Sequence, residues 1–287
     1  MNKILWISSY PKSGNTWLRS IISSLIYTST GEFNFNLLKL IEVFDRKKRY
    51  KFVRDININD YQKLDKEIEC ISKYWIECQK KIVFNTDINP ILNIFKTHSA
   101  NLTVASNKFT DESLVCGNIY IVRDPREIVI SYSKHRGKSI DNTIETMAES
   151  GTLLTPNKTL SLCLLSSWEV HFHSWKNFGA QTLIIKYEDL INNTTDEVIK
   201  ISNFLSNIFK INKKKLDEKI HKVIKSTEIN ILRNYEKKFG FDEVSSKSSS
   251  SFFGSAKINS WEKILSDSQI NKIENLFNKT MKELGYL

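Results

Sequence analysis

The chain has 287 residues, 40% hydrophobic and 26% charged, an ordinary balance for a globular protein long enough to bury a full core. Its 42 Lys and Arg outnumber its 32 Asp and Glu, leaving a formal charge of +10 that suits an anionic ligand, a polyanion or an acidic surface. A Lys-, Asn- and Ile-rich coding bias would produce the same excess, so charge alone decides nothing. The four scattered cysteines form no C-x-x-C and predict free thiols, not a disulfide framework. No apolar run approaches the roughly 18 residues of a membrane span, so a soluble, cytoplasmic protein is expected.

In chain order, residues 3–8 alternate as a short strand. Leu18, Ile21, Ile22, Leu25 and Ile26 then take the i, i+3, i+4 spacing of a buried helix stripe. Asp60 stands as an N-cap before an amphipathic stretch from Tyr61 to about Lys80. The segments ILNIFKTH (91–98) and NIYIV (118–122) read as strands, the second buried on both faces. Asp124-Pro125 forms an N-cap and first turn of a helix reaching about His135. Residues 159–178 read as helix, 182–187 as strand and 195–205 as helix. Two basic helical segments, a serine-rich stretch at 245–251 expected to be a mobile loop, and a helix near 267–284 complete the chain. Strands alternating with helices predict an α/β fold: a P-loop-like parallel sheet flanked by helices, one domain over 1–287.

The joint between the first strand and first helix is PKSGNTW (11–17). A strand, a tight glycine turn and a helix N-terminus together aim backbone N–H groups at an anion. Lys12 adds a positive charge, Gly14 permits close backbone approach, and Ser13, Asn15 and Thr16 add short donors. It is not a Walker A motif, which places its lysine after the second glycine.

YPKSGNTW (10–17) resembles the 5′-phosphosulfate loop of the cytosolic-type sulfotransferases, usually Y-P-K-S-G-T-T-W. These enzymes use 3′-phosphoadenosine-5′-phosphosulfate (PAPS). Further blocks resemble the family's in the same order. FKTHSAN (95–101) is similar to the block carrying its catalytic histidine, and YIVRDPREIVISYSKH (120–135) to its 3′-phosphate block, with Arg123 and Ser131 at the usual separation of eight. IIKYEDL (184–190) is similar to the segment whose tyrosine lies near the adenine, and STEINILRN (226–234) roughly to T-S-F-x-x-[ML]. The resemblance implies His98, Lys12 and Lys96 as catalytic residues. It implies Lys12, Ser13, Gly14, Asn15, Thr16, Trp17, Arg123, Ser131, Tyr187, Thr227 and Lys257 as cofactor-binding residues; no metal is expected, since a sulfuryl group carries less charge than a phosphoryl group.

The chemistry suits these residue types. Sulfuryl transfer, like phosphoryl transfer, moves a group in line between two oxygens and relies on positioning and charge stabilisation. Lys12 would neutralise the leaving phosphate. His98 titrates near neutrality and would accept the acceptor's proton, with Lys96 two residues away as a second cation. Arg123 emerges at a strand's carboxyl end, where open α/β sheets bind ligands, and its planar fork suits a phosphate. His171 and His173, two apart on a helix, face different ways and make no metal pair. Trp168, Phe172 and Trp175 read as core or pocket wall.

The closing block departs from the family's F-R-K-G-x-x-G-x-W-K. In FFGSAKINSWEK (252–263) Trp261 aligns and Lys257 remains, but Gly254 replaces the arginine. Ala256 and Asn259 stand at usual glycine positions, and Glu262 stands where a lysine is common. No K-T-V-x-x-x-E dimer segment is evident, which leaves the oligomeric state open. Two rival readings exist. A P-loop nucleotide kinase would need a Walker lysine and a carboxylate pair for Mg²⁺. A polyanion-binding protein would use the basic runs at 46–51 and 213–215, which lack interleaved aromatics, so no nucleic-acid partner is expected. The expected partner is a small-molecule or glycan hydroxyl acceptor, its identity hidden in the unmatched segments.

Overall fold

The structure is a computed structural model, and it describes residues 3–50, 64–84, 92–240 and 258–287. Asp60, Tyr61, the serine run at 245–251, Gly254, Ala256 and Lys257 therefore lie outside the described residues. The strands among the described residues are β1 (Ile4–Ser8), β2 (Glu42–Val43), β3 (Ile94–Thr97), β4 (Thr103–Val104), β5 (Asn107–Lys108), β6 (Val115–Val122), β7 (Leu153–Leu154), β8 (Cys163–Leu164) and β9 (Thr182–Lys186). Five of them form one sheet in the order β2-β3-β1-β6-β9, and two antiparallel pairs, β4-β5 and β7-β8, stand apart from it. β1 pairs in parallel with β3 and β6, and β2 pairs in parallel with β3. The continuous apolar run of β1 is buried at every residue, as a strand with neighbours on both sides requires. The fold is of the expected α/β class.

The chain groups into two compact units, each made of three stretches, and the division falls inside β6 and β9. In the first (1–10, 40–120, 149–184), Trp6 centres an aromatic core. Its ring meets Phe44 edge-on at 5.0 Å, with Phe109 at 5.5 Å and Trp175 at 6.1 Å. Its Nε1 donates to Thr110 Oγ1, which donates in turn to Gln79 (2.6 Å), so the polar tip is satisfied.

In the second unit (11–39, 121–148, 185–287), the helix Asn15–Tyr27 buries Leu18, Ile21, Ile22 and Leu25. The Lys219 ammonium donates to the carbonyls of Leu25 (3.0 Å) and Thr28 (2.6 Å), acceptors that the helix end leaves without partners. The helix Pro125–Arg136 begins as expected, with the Asp124 carboxylate accepting from the Arg126 N–H and proline in the first turn.

Three expected helices are broken. The stretch to Lys80 is two helices, Leu64–Ser72 and Trp75–Phe84, because the Tyr74 N–H turns back to Ile71 and swings Trp75 into the core. Over 159–178 only Trp168–Lys176 is helical. Before it, β8 pairs with β7, Ser166 is left-handed (φ 62°), and Ser167 caps the helix by accepting from the Val170 N–H. The closing helix divides at Phe277 into Asp267–Leu276 and Asn278–Glu283. Trp75 and Phe277 at the first and third breaks are buried, and at the second a strand pair takes residues that the helical pattern claims.

Candidate active site

The loop after β1 owes its shape to two left-handed residues, Lys12 (φ 67°) and Gly14 (φ 99°). Alternating handedness of this kind turns successive N–H groups inward, and the helix N-terminus behind adds its positive end. A left-handed lysine costs roughly 1–2 kcal/mol, a strain characteristic of functional loops. Gly14 is required twice over. Its φ is hard for any L side chain, and a Cβ there would lie 2.5 Å from Tyr187 Cδ2 and 3.3 Å from Ile121 Cδ1. Ser13 is fully buried, and among the described residues its hydroxyl has no hydrogen-bond partner. An orphaned donor in a cradle of N–H groups fits a phosphate oxygen.

Arg123 follows β6 directly and is tied to this loop. Its Nη1 donates to the Lys12 carbonyl (3.3 Å) and its Nη2 to Glu127 (3.2 Å), while its buried Nε has no partner among the described residues. The guanidinium lies 4.3 Å over the Tyr187 ring, which meets Trp17 edge-on at 5.8 Å. Trp17 Nε1 donates to the Thr227 carbonyl (2.9 Å), and the Thr227 hydroxyl closes its own helix on Val223 (2.7 Å). Lys12, Gly14, Trp17, Arg123, Tyr187 and Thr227 are thus one connected set. Asn15 and Thr16 are buried in the first helical turn, and Ser131 is half-buried on the helix Pro125–Arg136.

Sequence reasoning passed over Glu127. It is buried and accepts from Arg123, from the Ser260 hydroxyl (2.9 Å) and from the Trp261 N–H (3.1 Å). Its i+4 spacing from Arg123 was the available signal. Arg126 chelates Asp124, bonds Glu274 (2.6 Å) and lies 3.9 Å over the Trp261 ring. Asn259 adopts the left-handed conformation (φ 60°), which asparagine tolerates better than most residues other than glycine.

His98 is the first residue past β3 and is half-buried. Its Nδ1 lies 2.7 Å from the Ser9 carbonyl and 3.3 Å from the Ser9 hydroxyl. A carbonyl only accepts, so Nδ1 carries the proton and the lone pair sits on Nε2, the tautomer of a general base. The carbonyl of His98 accepts from His171 Nε2 (3.1 Å), and His171 Nδ1 accepts from the Tyr120 hydroxyl (2.8 Å). Full burial lowers the His171 pKa to about 4 and keeps the ring neutral. The next carbonyl, that of Ser99, accepts from Trp175 Nε1 (2.9 Å). Lys96 is 9% exposed, and its charge acts on the buried Asp45 carboxylate. Ser9 and His171 carried no local signal, since both matter through contacts with a residue more than 70 positions away. Among the described residues, no group of His, Cys, Asp or Glu is arranged to hold a metal ion, and no helix is long and apolar enough to cross a membrane.

A parallel sheet whose first strand runs into a left-handed loop and a helix N-terminus defines an α/β protein of the phosphate-loop class. A family model described as the sulfotransferase domain matches residues 2–285. The chain belongs to that family, the PAPS-dependent sulfotransferases. Cytosolic sulfotransferase 16 of Arabidopsis thaliana is 22% identical, over 98% of this chain and 77% of the relative. Sulfotransferase 1B1 of the dog, Canis lupus familiaris, is 24% identical, over 96% and 82%. Among solved structures, a mouse sulfotransferase complexed with PAP superposes with a TM-score of 0.59 at 18% identity, covering 98% of this chain and 85% of the other. Retinol dehydratase in complex with androsterone and PAP gives 0.60 at 15% identity, covering 97% and 80%. The nucleotide-kinase alternative is not favoured.

Proposed function

We propose that this chain, as one domain over 1–287 acting in the cytoplasm, transfers a sulfuryl group from PAPS to a hydroxyl or amine of a small-molecule or glycan acceptor. The observation that carries the reading is the hydrogen bond from His98 Nδ1 to the Ser9 carbonyl, because it leaves Nε2 as the basic nitrogen. Support for the donor comes from the orphaned Ser13 hydroxyl and the cradle that a Cβ at Gly14 would fill. The relatives' names include a cytosolic enzyme, and one neighbour was solved in a complex with PAP and with retinol, an alcohol.

PAPS supplies the sulfuryl group on a phosphate leaving group. His98 Nε2 takes the acceptor's proton as its oxygen attacks. Lys12 and the loop N–H groups stabilise the charge gathering on the departing phosphate. Lys96 provides a second positive field for the sulfuryl oxygens. Arg123 and Ser131, with Lys257, hold the terminal 3′-phosphate, while Ser13, Asn15 and Thr16 hold the 5′ side. Trp17, Tyr187 and Thr227 flank the adenosine.

The test is incubation of the protein with labelled PAPS and a panel of phenols, alkyl alcohols, amines and sugars. Sulfated product is expected from the native chain, and His98→Ala and Lys12→Ala should each lower kcat by roughly 10²-fold or more with the fold intact. A His98→Ala protein that keeps near-normal kcat would end the base assignment.

A further inference from the structure

Asp45 is 5% exposed, and burial raises its pKa, against which neighbouring donors and Lys96 act. A carboxylate so placed persists only where donors replace its lost water. Its donors come from one short stretch of chain. Thr97 Oγ1 donates to Oδ2 (2.8 Å), Ser99 Oγ donates to Oδ1 (3.0 Å), and the His98 backbone N–H also bonds to it. With the charge of Lys96, all four consecutive residues 96–99 act on a single carboxylate. The Thr97 hydroxyl further accepts from the Ser99 N–H (2.9 Å), closing a tight turn around the histidine.

The carboxylate is itself held. The Phe44 N–H donates to the Lys96 carbonyl (2.8 Å), and the Ser161 N–H donates to the Asp45 carbonyl (2.8 Å). Cys163 Sγ lies 3.1 Å from Ser99 Oγ. Because Ser99 spends its proton on Asp45, the thiol is the donor there, and burial keeps that thiol protonated. The chain of bonds runs from Cys163 through Ser99 to Asp45 without a break.

We propose that Asp45 is the positioning residue of His98. It gathers Thr97, Ser99 and the His98 N–H, fixes the peptide planes on both sides of the histidine, and so holds imidazole Nδ1 on the Ser9 carbonyl. Asp45 touches no reacting group; it acts through the histidine's orientation and tautomer. Freed from it, the ring loses its bond to Ser9 for part of the time, and Nε2 then carries the proton it needs to receive. The inference rests on the reading of His98 as the base.

Asp45→Asn tests this, since the amide keeps the volume but accepts at only one end. Nitrogen-15 NMR of the His98 imidazole should show the Nδ1–H tautomer in the native protein and a mixture in Asp45→Asn. With a working acceptor, kcat should fall by roughly 10- to 100-fold while KM for PAPS stays unchanged. In a His98→Ala background the same change should cause no further loss, as groups acting as a unit are non-additive. Equal losses with and without His98, or a native imidazole spectrum in a folded Asp45→Asn protein, would overturn the proposal. Should Asp45→Asn not fold, Thr97→Val with Ser99→Ala takes its place under the same criteria. If the native protein sulfates nothing, the proposed function fails, and the NMR comparison alone still decides the role of Asp45.

Discussion

Around Gly14 the restraint lies in the backbone. Two left-handed residues and the start of a helix shape the loop within a few consecutive positions, and Tyr187 leaves room there for nothing larger than hydrogen. Around His98 the restraint lies in side chains from distant stretches, with Ser9, Asp45, His171 and Trp175 all closing on residues 97–99. A backbone cradle suits a chemically uniform anion, which needs N–H groups and little else. A base must present one nitrogen, in one protonation state, and only a set of specific partners can impose that.

The contrast can be broken most forcefully at Gly14. Gly14→Ala should cost about 2–4 kcal/mol, from strain at φ 99° and overlap with the Tyr187 ring, visible in thermal unfolding and in loss of adenosine 3′,5′-bisphosphate binding. Adding Tyr187→Ala should recover the overlap and leave the strain. An unchanged Tm in the single variant would show that the loop relaxes freely.

The histidine side is sharpened by pH. His171 has a folded pKa of about 4, below its unfolded 6.5, so the unfolded chain binds its proton first as pH falls. Its contribution is therefore fully present above 6.5 and is lost progressively down to about 4, by up to about 3 kcal/mol. Urea midpoints at pH 7.5 and 4.5 should diverge more for the native protein than for His171→Gln. Parallel slopes would mean that the ring is not held neutral.

A smaller effect is expected at Arg123. Its fork is fixed by Lys12 and Glu127, and its Nε has no partner among the described residues, so adenosine 3′,5′-bisphosphate should bind more tightly than AMP by roughly 1.5–3 kcal/mol. Arg123→Ala should remove that difference, and calorimetry showing equal affinities in the native protein would sever Arg123 from the 3′-phosphate. Smallest of all, Asn259→Gly should change stability by less than about 1 kcal/mol, whereas Asn259→Val should cost about 1–2, because only the latter adds a side chain unsuited to φ 60°. Equal Tm values for the two variants would remove the left-handed requirement at that position.

What the sequence by itself determined is whatever short-range patterns encode. β1, the loop and the helix after it were legible because glycine, proline and apolar spacing act within a turn or two. The block order led to the family, and Asp124-Pro125 marked its helix start to the residue. The sequence did not show that the stretches to Lys80, over 159–178 and near 267–284 would break, because the breaks answer to Trp75, the β7-β8 pair and Phe277 in the folded core. Nor did it show Ser9, Asp45, Glu127 or His171, whose roles rest on contacts rather than motifs. Only the tertiary structure decided which nitrogen of His98 bears a proton, because that choice is made by a carbonyl 89 residues away.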